Sequence, residues 1–220
     1  MGQMISLARP DGGALDAYVS DIEKGRAGVI VLQEWWGLND HIKSIVDRFQ
    51  FEGFNAVAPD LYHGRVTKDA DEASHMMNGL DFPGAVHEDI TATLAWLKDS
   101  SLKVAVMGFC MGGALTIAAA ARLSGLDAAV CFYGMPPKAF ADPKDIKIPL
   151  QGHFATKDDW VTPAVVADME ASMTAAGNPP EAYSYEADHA FFNRTRPEVY
   201  DAQASELAWT RMMVFLRKAL

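Results

Sequence analysis

Cys110 lies in the middle of Val104 to Thr116, VAVMGFCMGGALT, where a β-branched apolar run gives way to an alanine-rich helical one. Gly108-Phe109-Cys110-Met111-Gly112 has the G-x-nucleophile-x-G form of a strand-to-helix elbow, with cysteine where serine is usual. Such a turn strains the backbone at the nucleophile, and side chains two residues to either side would collide with neighbouring strand and helix. A helix starting at Met111 points its unpaired N–H groups and positive dipole end at the sulfur. That favours a thiolate and offers the Met111 N–H to an oxyanion. The alternative for this stretch is a small buried cysteine at a tight glycine turn.

A nucleophilic cysteine needs a base, and the base needs a group to orient it. In elbow hydrolases the acid follows a late strand and the histidine follows the last one. Ala155-Thr156-Lys157-Asp158-Asp159-Trp160-Val161 follows one predicted strand and Glu186-Ala187-Asp188-His189-Ala190-Phe191 follows the next. His189 is the expected base and Asp158 the favoured partner. Asp159 and Asp188 are the alternatives, Asp188 being weaker because neighbours in a loop rarely face each other. His41, His63, His75, His87 and His153 do not follow the last strand and are expected at the surface or in packing.

Glu34 ends a buried strand on the same carboxyl edge. A carboxylate there opposes thiolate formation and could hold a neutral thiol by a hydrogen bond; equally, it could satisfy loop backbone donors. The Trp35 N–H is the expected second oxyanion donor. Trp35, Trp36 and Trp160 form either an aromatic wall or ordinary core.

These residues need a sheet to position them. Pro10-Asp11-Gly12-Gly13 between Ile5-Ala8 and Ala14-Val19 predicts an opening hairpin at a sheet edge. Gly28-Leu32, Phe54-Ala58, Val104-Gly108, Ala128-Tyr133, Leu150-Phe154 and Ala182-Tyr185 are predicted strands, several apolar on both faces. Helices are expected over Asp40-Glu52, with Asp40 as N-cap and Gly53 as stop, and over Val66-Asn78, Ala85-Lys98, 111–123, Thr162-Ala175 and Pro197-Ala219. The alternation predicts one α/β domain over residues 1–220, a mostly parallel doubly wound sheet with helices on both faces. Gly134 to Pro149 is too short for a separate cap domain, so an open site is expected.

Composition narrows the partners. Among 220 residues, half are hydrophobic, and 29 acidic against 19 basic residues give a net charge of −10, which disfavours nucleic acid and anionic membranes. No apolar stretch approaches spanning length, so a cytoplasmic protein is expected. Cys110 and Cys131 make no disulfide framework, no Cys or His spacing suggests a metal, and Cys131, in AAVCFYG, is expected to be a core thiol.

The chain resembles the dienelactone hydrolase family, also called carboxymethylenebutenolidases, from Gly28 to the final helix. The likeness is carried by Gln33-Glu34-Trp35-Trp36-Gly37, Ala58-Pro59-Asp60-Leu61-Tyr62, Gly108 to Gly113, Asp158-Asp159-Trp160-Val161 and His189-Ala190-Phe191. It implies an α/β-hydrolase fold and a cofactor-free hydrolase of lactones or related esters, with Cys110, His189 and Asp158 as triad. It also implies that Glu34 holds the resting thiol until substrate moves it. The family's Asp-x-x-Val pattern selects Asp158 over Asp159. Trp36, Tyr62, Trp160, Phe191 and Arg194 are expected to contact substrate. Two arginines that hold a substrate carboxylate in the family are missing: none lies between Asp69 and Met77, and Asn193 occupies the position four after the histidine. Arg65, Lys68, Arg194 and Arg196 are the cations left to substitute, each equally readable as a solvated surface charge. A broad small-molecule esterase or thioesterase and a non-catalytic thiol protein remain alternatives. Monomer or homodimer is expected.

Overall fold

The computed structural model describes residues 2–220. Gln3–Ala8 (β1) and Ala14–Val19 (β2) form the predicted hairpin, closed by the Arg9 N–H on the Gly13 carbonyl at 2.9 Å with Gly12 at φ +86°. β2 runs antiparallel to Asn55–Pro59 (β4), which lies beside Gly28–Leu32 (β3). From there Val104–Phe109 (β5), Ala128–Phe132 (β6), Leu150–Lys157 (β7) and Glu181–Asp188 (β8) continue in parallel. The order β1-β2-β4-β3-β5-β6-β7-β8 puts the reversal of winding between β3 and β5. Ligands bind α/β sheets at the carboxyl ends of such a switch point.

Side chains alternate across this sheet, and the chain supplies apolar residues at both parities. Ile30, Leu32, Val104 and Val106 join one core with Met76 of Ala70–Asn78 (α2), Leu97 of Thr91–Lys98 (α4), Leu115 of Met111–Arg122 (α5) and Met169 of Pro163–Ala175 (α6). Val29, Val31, Ala105 and Met107 join the other with Phe49 of Asp40–Phe51 (α1) and Trp209 of Ala202–Ala219 (α7). Helices thus cover both faces, as the α/β-hydrolase reading requires. Residues 134–149 carry a hydrogen-bonded turn at 137–140 and the short 3-10 helix Pro143–Asp145.

Several boundaries differ from the sequence expectation. Asn39, not Asp40, caps α1: its backbone is extended and its Oδ1 accepts the Ile42 N–H at 3.2 Å, leaving Asp40 inside the first turn. Asp69 likewise starts α2 three to four residues late, accepting the Glu72 N–H at 2.8 Å. Asp201 starts α7 at Ala202 rather than Pro197. The helical run 82–98 is continuous, but Phe82–Gly84 (α3) passes into a π-helical turn, Ala85–Ile90, before α4. The Thr91 hydroxyl donates to the Val86 carbonyl five residues back, at 3.2 Å. Finally, β7 and β8 run on to Lys157 and Asp188, which pair with each other after a register shift. Asp158 and His189 are therefore the first residues to leave the sheet, side by side.

Candidate active site

Cys110 joins β5 to α5 at φ +53°, ψ −114°, a conformation costing roughly 1–3 kcal/mol that only tight surroundings sustain. Those surroundings explain the glycines. A Cβ on Gly108 would stand 2.3 Å from the Gly112 carbonyl oxygen, and one on Gly112 2.5 Å from the carbonyl oxygens of Leu32 and Gln33. On the other side, a Cβ on Gly134 would stand 2.3 Å from the Cys110 carbonyl. The Cys110 N–H donates to Phe132 at 3.0 Å, so the elbow is clamped between the ends of β3 and β6.

The Met111 N–H at the helix start favours the thiolate, but the thiol pKa is raised rather than lowered, against the expectation from the helix terminus. Burial is the main cause and the nearby Glu34 carboxylate the second. One helix terminus does not offset the loss of water around an anion. Cys131 is a fully buried core thiol donating to the Gly134 carbonyl at 3.1 Å, and burial pushes it up to about 12.

Asp158 accepts the N–H groups of Trp160 and Val161 at 2.8 and 2.9 Å on Oδ1, while Oδ2 meets His189 Nδ1 at 2.6 Å. Burial alone would raise this carboxyl, but His189 and the two backbone donors bring it below its ordinary value. With Nδ1 engaged, His189 Nε2 is buried and has no hydrogen-bond partner among the described residues. Trp160, two-thirds exposed, lays its ring edge-on to His189 at 4.7 Å. Asp159 and Asp188 are exposed at the mouth of the same cleft.

Glu34 is 2% exposed. Its hydrogen-bond donors among the described residues are Tyr133 Oη, at 3.2 Å, and Asn193 Nδ2, so the expected bond to the cysteine thiol gives way to these two. Asn193 is oriented in turn by Thr195, whose N–H and hydroxyl donate to its Oδ1 at 3.0 and 2.6 Å. Burial raises the Glu34 carboxyl to about 7 against the opposing pull of Asn193, His189 and Tyr133. Tyr133 follows β6 at φ +38°, fully buried, and packs its ring 5.1 Å from His189. Sequence reasoning missed both donors. The tight Tyr133-Gly134 pair after a strand was the available signal for one, and Asn193 was marked only as the residue standing where the family has an arginine.

Cys110, Met111, His189, Glu34, Trp35 and Trp36 line a single cleft of 580 Å³ together with Trp160. Trp35 packs edge-on to Trp36 at 5.1 Å and to Trp160 at 6.3 Å, making the aromatic wall. Three expected contacts fall outside the lining. Tyr62 is buried behind Met111, donating its hydroxyl to the thioether sulfur at 3.1 Å, and Phe191 is fully buried against Tyr133 and Tyr185. Arg194 is also absent from the cleft, whereas Arg196 lines it, stacked 4.7 Å over Trp36 and paired with Glu198. The one-turn loop 193–196 folds back through the Arg196 N–H to Asn193 carbonyl bond, and this selects which arginine faces inward.

Of the other histidines, His41 and His153 are buried. His153 lies between Tyr185 Oη at 2.8 Å and Gln151 Oε1 at 2.9 Å, stacked on Phe132, and burial holds its pKa down to about 3. Among the described residues no group of three or more His, Cys, Asp or Glu side chains is arranged to hold a metal ion, and no helix is long and apolar enough to cross a membrane.

The family model described as the dienelactone hydrolase family matches residues 15–220. Protein usf of Aquifex pyrophilus is 36% identical, and the protein of Aquifex aeolicus named "Putative carboxymethylenebutenolidase" is 30% identical, each alignment covering all of both chains. Among solved structures, the "Putative Dienelactone Hydrolase" of Klebsiella pneumoniae superposes with a TM-score of 0.87 at 25% identity, covering 97% of each chain.

Proposed function

The chain belongs to the dienelactone hydrolase family, and from that premise we propose that it hydrolyses carboxylic esters or lactones through a thioester formed on Cys110. Hydrolase activity comes with the family; the nucleophile and the residue roles are our reading. The observation that carries it is the 2.6 Å Asp158 to His189 pair, whose free Nε2 belongs to the same cleft as Cys110.

In this mechanism the resting sulfur is a neutral thiol, kept so by burial and Glu34. With substrate bound, the thiol proton passes to His189 Nε2 as the sulfur attacks the ester carbonyl carbon, and Asp158 stabilises the imidazolium. The Met111 and Trp35 N–H groups receive the oxyanion. Collapse breaks the bond from carbon to the leaving oxygen, which takes the proton back from Nε2. Water then adds to the thioester with His189 as base, the C–S bond breaks, and acid and thiol are regenerated. Trp36 and Trp160 flank the bound ester. No cofactor takes part in these steps.

The test is steady-state hydrolysis of an aryl acetate with intact-mass measurement after a rapid acid quench. Wild type should show turnover and an adduct of one acetyl group. Cys110→Ala should retain its circular dichroism spectrum and lose both. Undiminished turnover by Cys110→Ala overturns the reading.

A further inference from the structure

An ester bound for this reaction has two halves, and the cleft treats them differently. That difference follows from the cysteine-hydrolase reading above. The leaving oxygen must lie where His189 Nε2 can return its proton, so the alcohol half sits beside His189 and Trp160, and the acyl half points away from them.

Apart from Glu34, which follows β3 and acts on the sulfur itself, the charges of the cleft are divided along the same line. Lys157, Asp159, Asp188 and Arg196 all come from the ends of β7 and β8 or the segments that follow them, the side that carries His189. The two cations there are engaged, Lys157 with Glu186 at 3.7 Å and Arg196 with Glu198. Away from those segments, the lining includes Met77, Phe82, Met111, Ala114, Met135 and Pro137. These come from α2, the 82–98 run, α5 and the loop after β6, with no charged side chain among them. Met77, Phe82 and Met135 pack on the apolar core of that face, and Phe82 is braced edge-on by Phe140 at 6.2 Å. A carboxylate placed there would lose its water and gain no cation, and its cost would exceed any packing gain. An alkyl chain would be desolvated by flexible thioethers that adapt to its shape.

We infer that this apolar chamber is the acyl subsite, that the acyl half of the substrate is an uncharged alkyl or aryl group of several carbons, and that any substrate charge sits on the leaving-group half. Each methylene buried in the chamber should raise kcat/KM about fourfold until the space is filled.

The experiment compares kcat/KM for the p-nitrophenyl esters of acetate, butyrate and hexanoate and for mono-p-nitrophenyl succinate, each normalised to its rate of hydroxide hydrolysis. Values should rise by roughly tenfold or more from acetate to hexanoate, and the succinate half-ester should fall at least about tenfold below butyrate. Ala114→Leu, which fills the chamber, should compress the hexanoate-to-acetate ratio toward one, and Met135→Ala, which enlarges it, should widen the ratio. A flat chain-length series, or a half-ester cleaved as well as butyrate, overturns the inference while acetate turnover leaves the cysteine mechanism standing. Absence of turnover and of a Cys110 adduct with every ester sinks that mechanism, and the subsite with it.

Discussion

Asp158 Oδ2 and His189 Nδ1 stand 2.6 Å apart, with the other oxygen of the same carboxylate held by two backbone N–H groups. The pair is set by the sheet: Lys157 and Asp188 are register partners at the end of β7 and β8, and the next residue of each strand completes the contact. This fixes the imidazole so that Nε2 is the nitrogen available to a substrate. Asp158→Asn should keep the fold, reverse the preferred tautomer and lower kcat by about 10³-fold or more. Asp159→Asn, outside that bond, should stay within about threefold of wild type. Equal losses in the two variants would place the orienting role elsewhere.

Glu34 lines the cleft with the sulfur, its carboxylate held by Tyr133 and Asn193. Its charge is the second cause of the raised thiol pKa, so removing the charge should lower that pKa. Glu34→Gln should move the midpoint of iodoacetamide alkylation of Cys110 to lower pH. An unchanged or higher midpoint would mean that the carboxylate does not act on the thiol.

The same carboxyl has a stability signature. Its folded pKa of about 7 lies above its ordinary 4.5, so the native state binds this proton more tightly than the unfolded chain does. That contribution is complete below pH 4.5 and is lost as pH rises through 7. Thermal midpoints of wild type should decline relative to those of Glu34→Gln between pH 5 and 8. Parallel curves would refute the assignment.

His153 titrates the other way. Burial, with Arg211 adding to it, depresses its pKa from 6.5 to about 3, so the unfolded chain takes up a proton that the folded chain refuses. Its contribution is present above 6.5 and is lost as pH falls toward 3. Between pH 6 and 4 the unfolding free energy should carry a slope of about 1.4 kcal/mol per pH unit from this group alone. Urea denaturation of His153→Gln across that range should show a slope smaller by about that amount.

The elbow glycines make a steric prediction. Gly112→Ala puts a methyl 2.5 Å from two backbone carbonyl oxygens at the end of β3, which no side-chain rotation relieves. It should destabilise the protein by about 2 kcal/mol or more and displace Glu34 and Trp35, which follow that strand. Chemical denaturation and the acetate assay read the two effects. Gly53→Ala, at a helix end with φ +89° and open space around its Cβ position, should cost only backbone strain of about 1 kcal/mol.

The architecture, and the chemistry it can carry, are legible along the chain. Apolar runs such as Gly28–Leu32, buried at every position, are stable only between two helical layers, and Gly108 and Gly112 around Cys110 admit only a sharp strand-to-helix turn. Chain order then placed Asp158 and His189 after the last two strands. These are local properties, encoded in periodicity and in glycine. The partners of these side chains are not local. Glu34 receives its hydrogen bonds from Tyr133, 99 residues away, and Asn193, 159 away, and no pattern along the chain relates them. Arg196 faces the cleft in place of Arg194 because the loop after His189 turns back on Asn193, and Tyr62 and Phe191 are buried behind the cleft wall, where family position alone put them in front. Burial at a site specifies that a residue is inside. Which atoms it meets there is set by strand register and loop closure, and these exist only once the whole chain is packed.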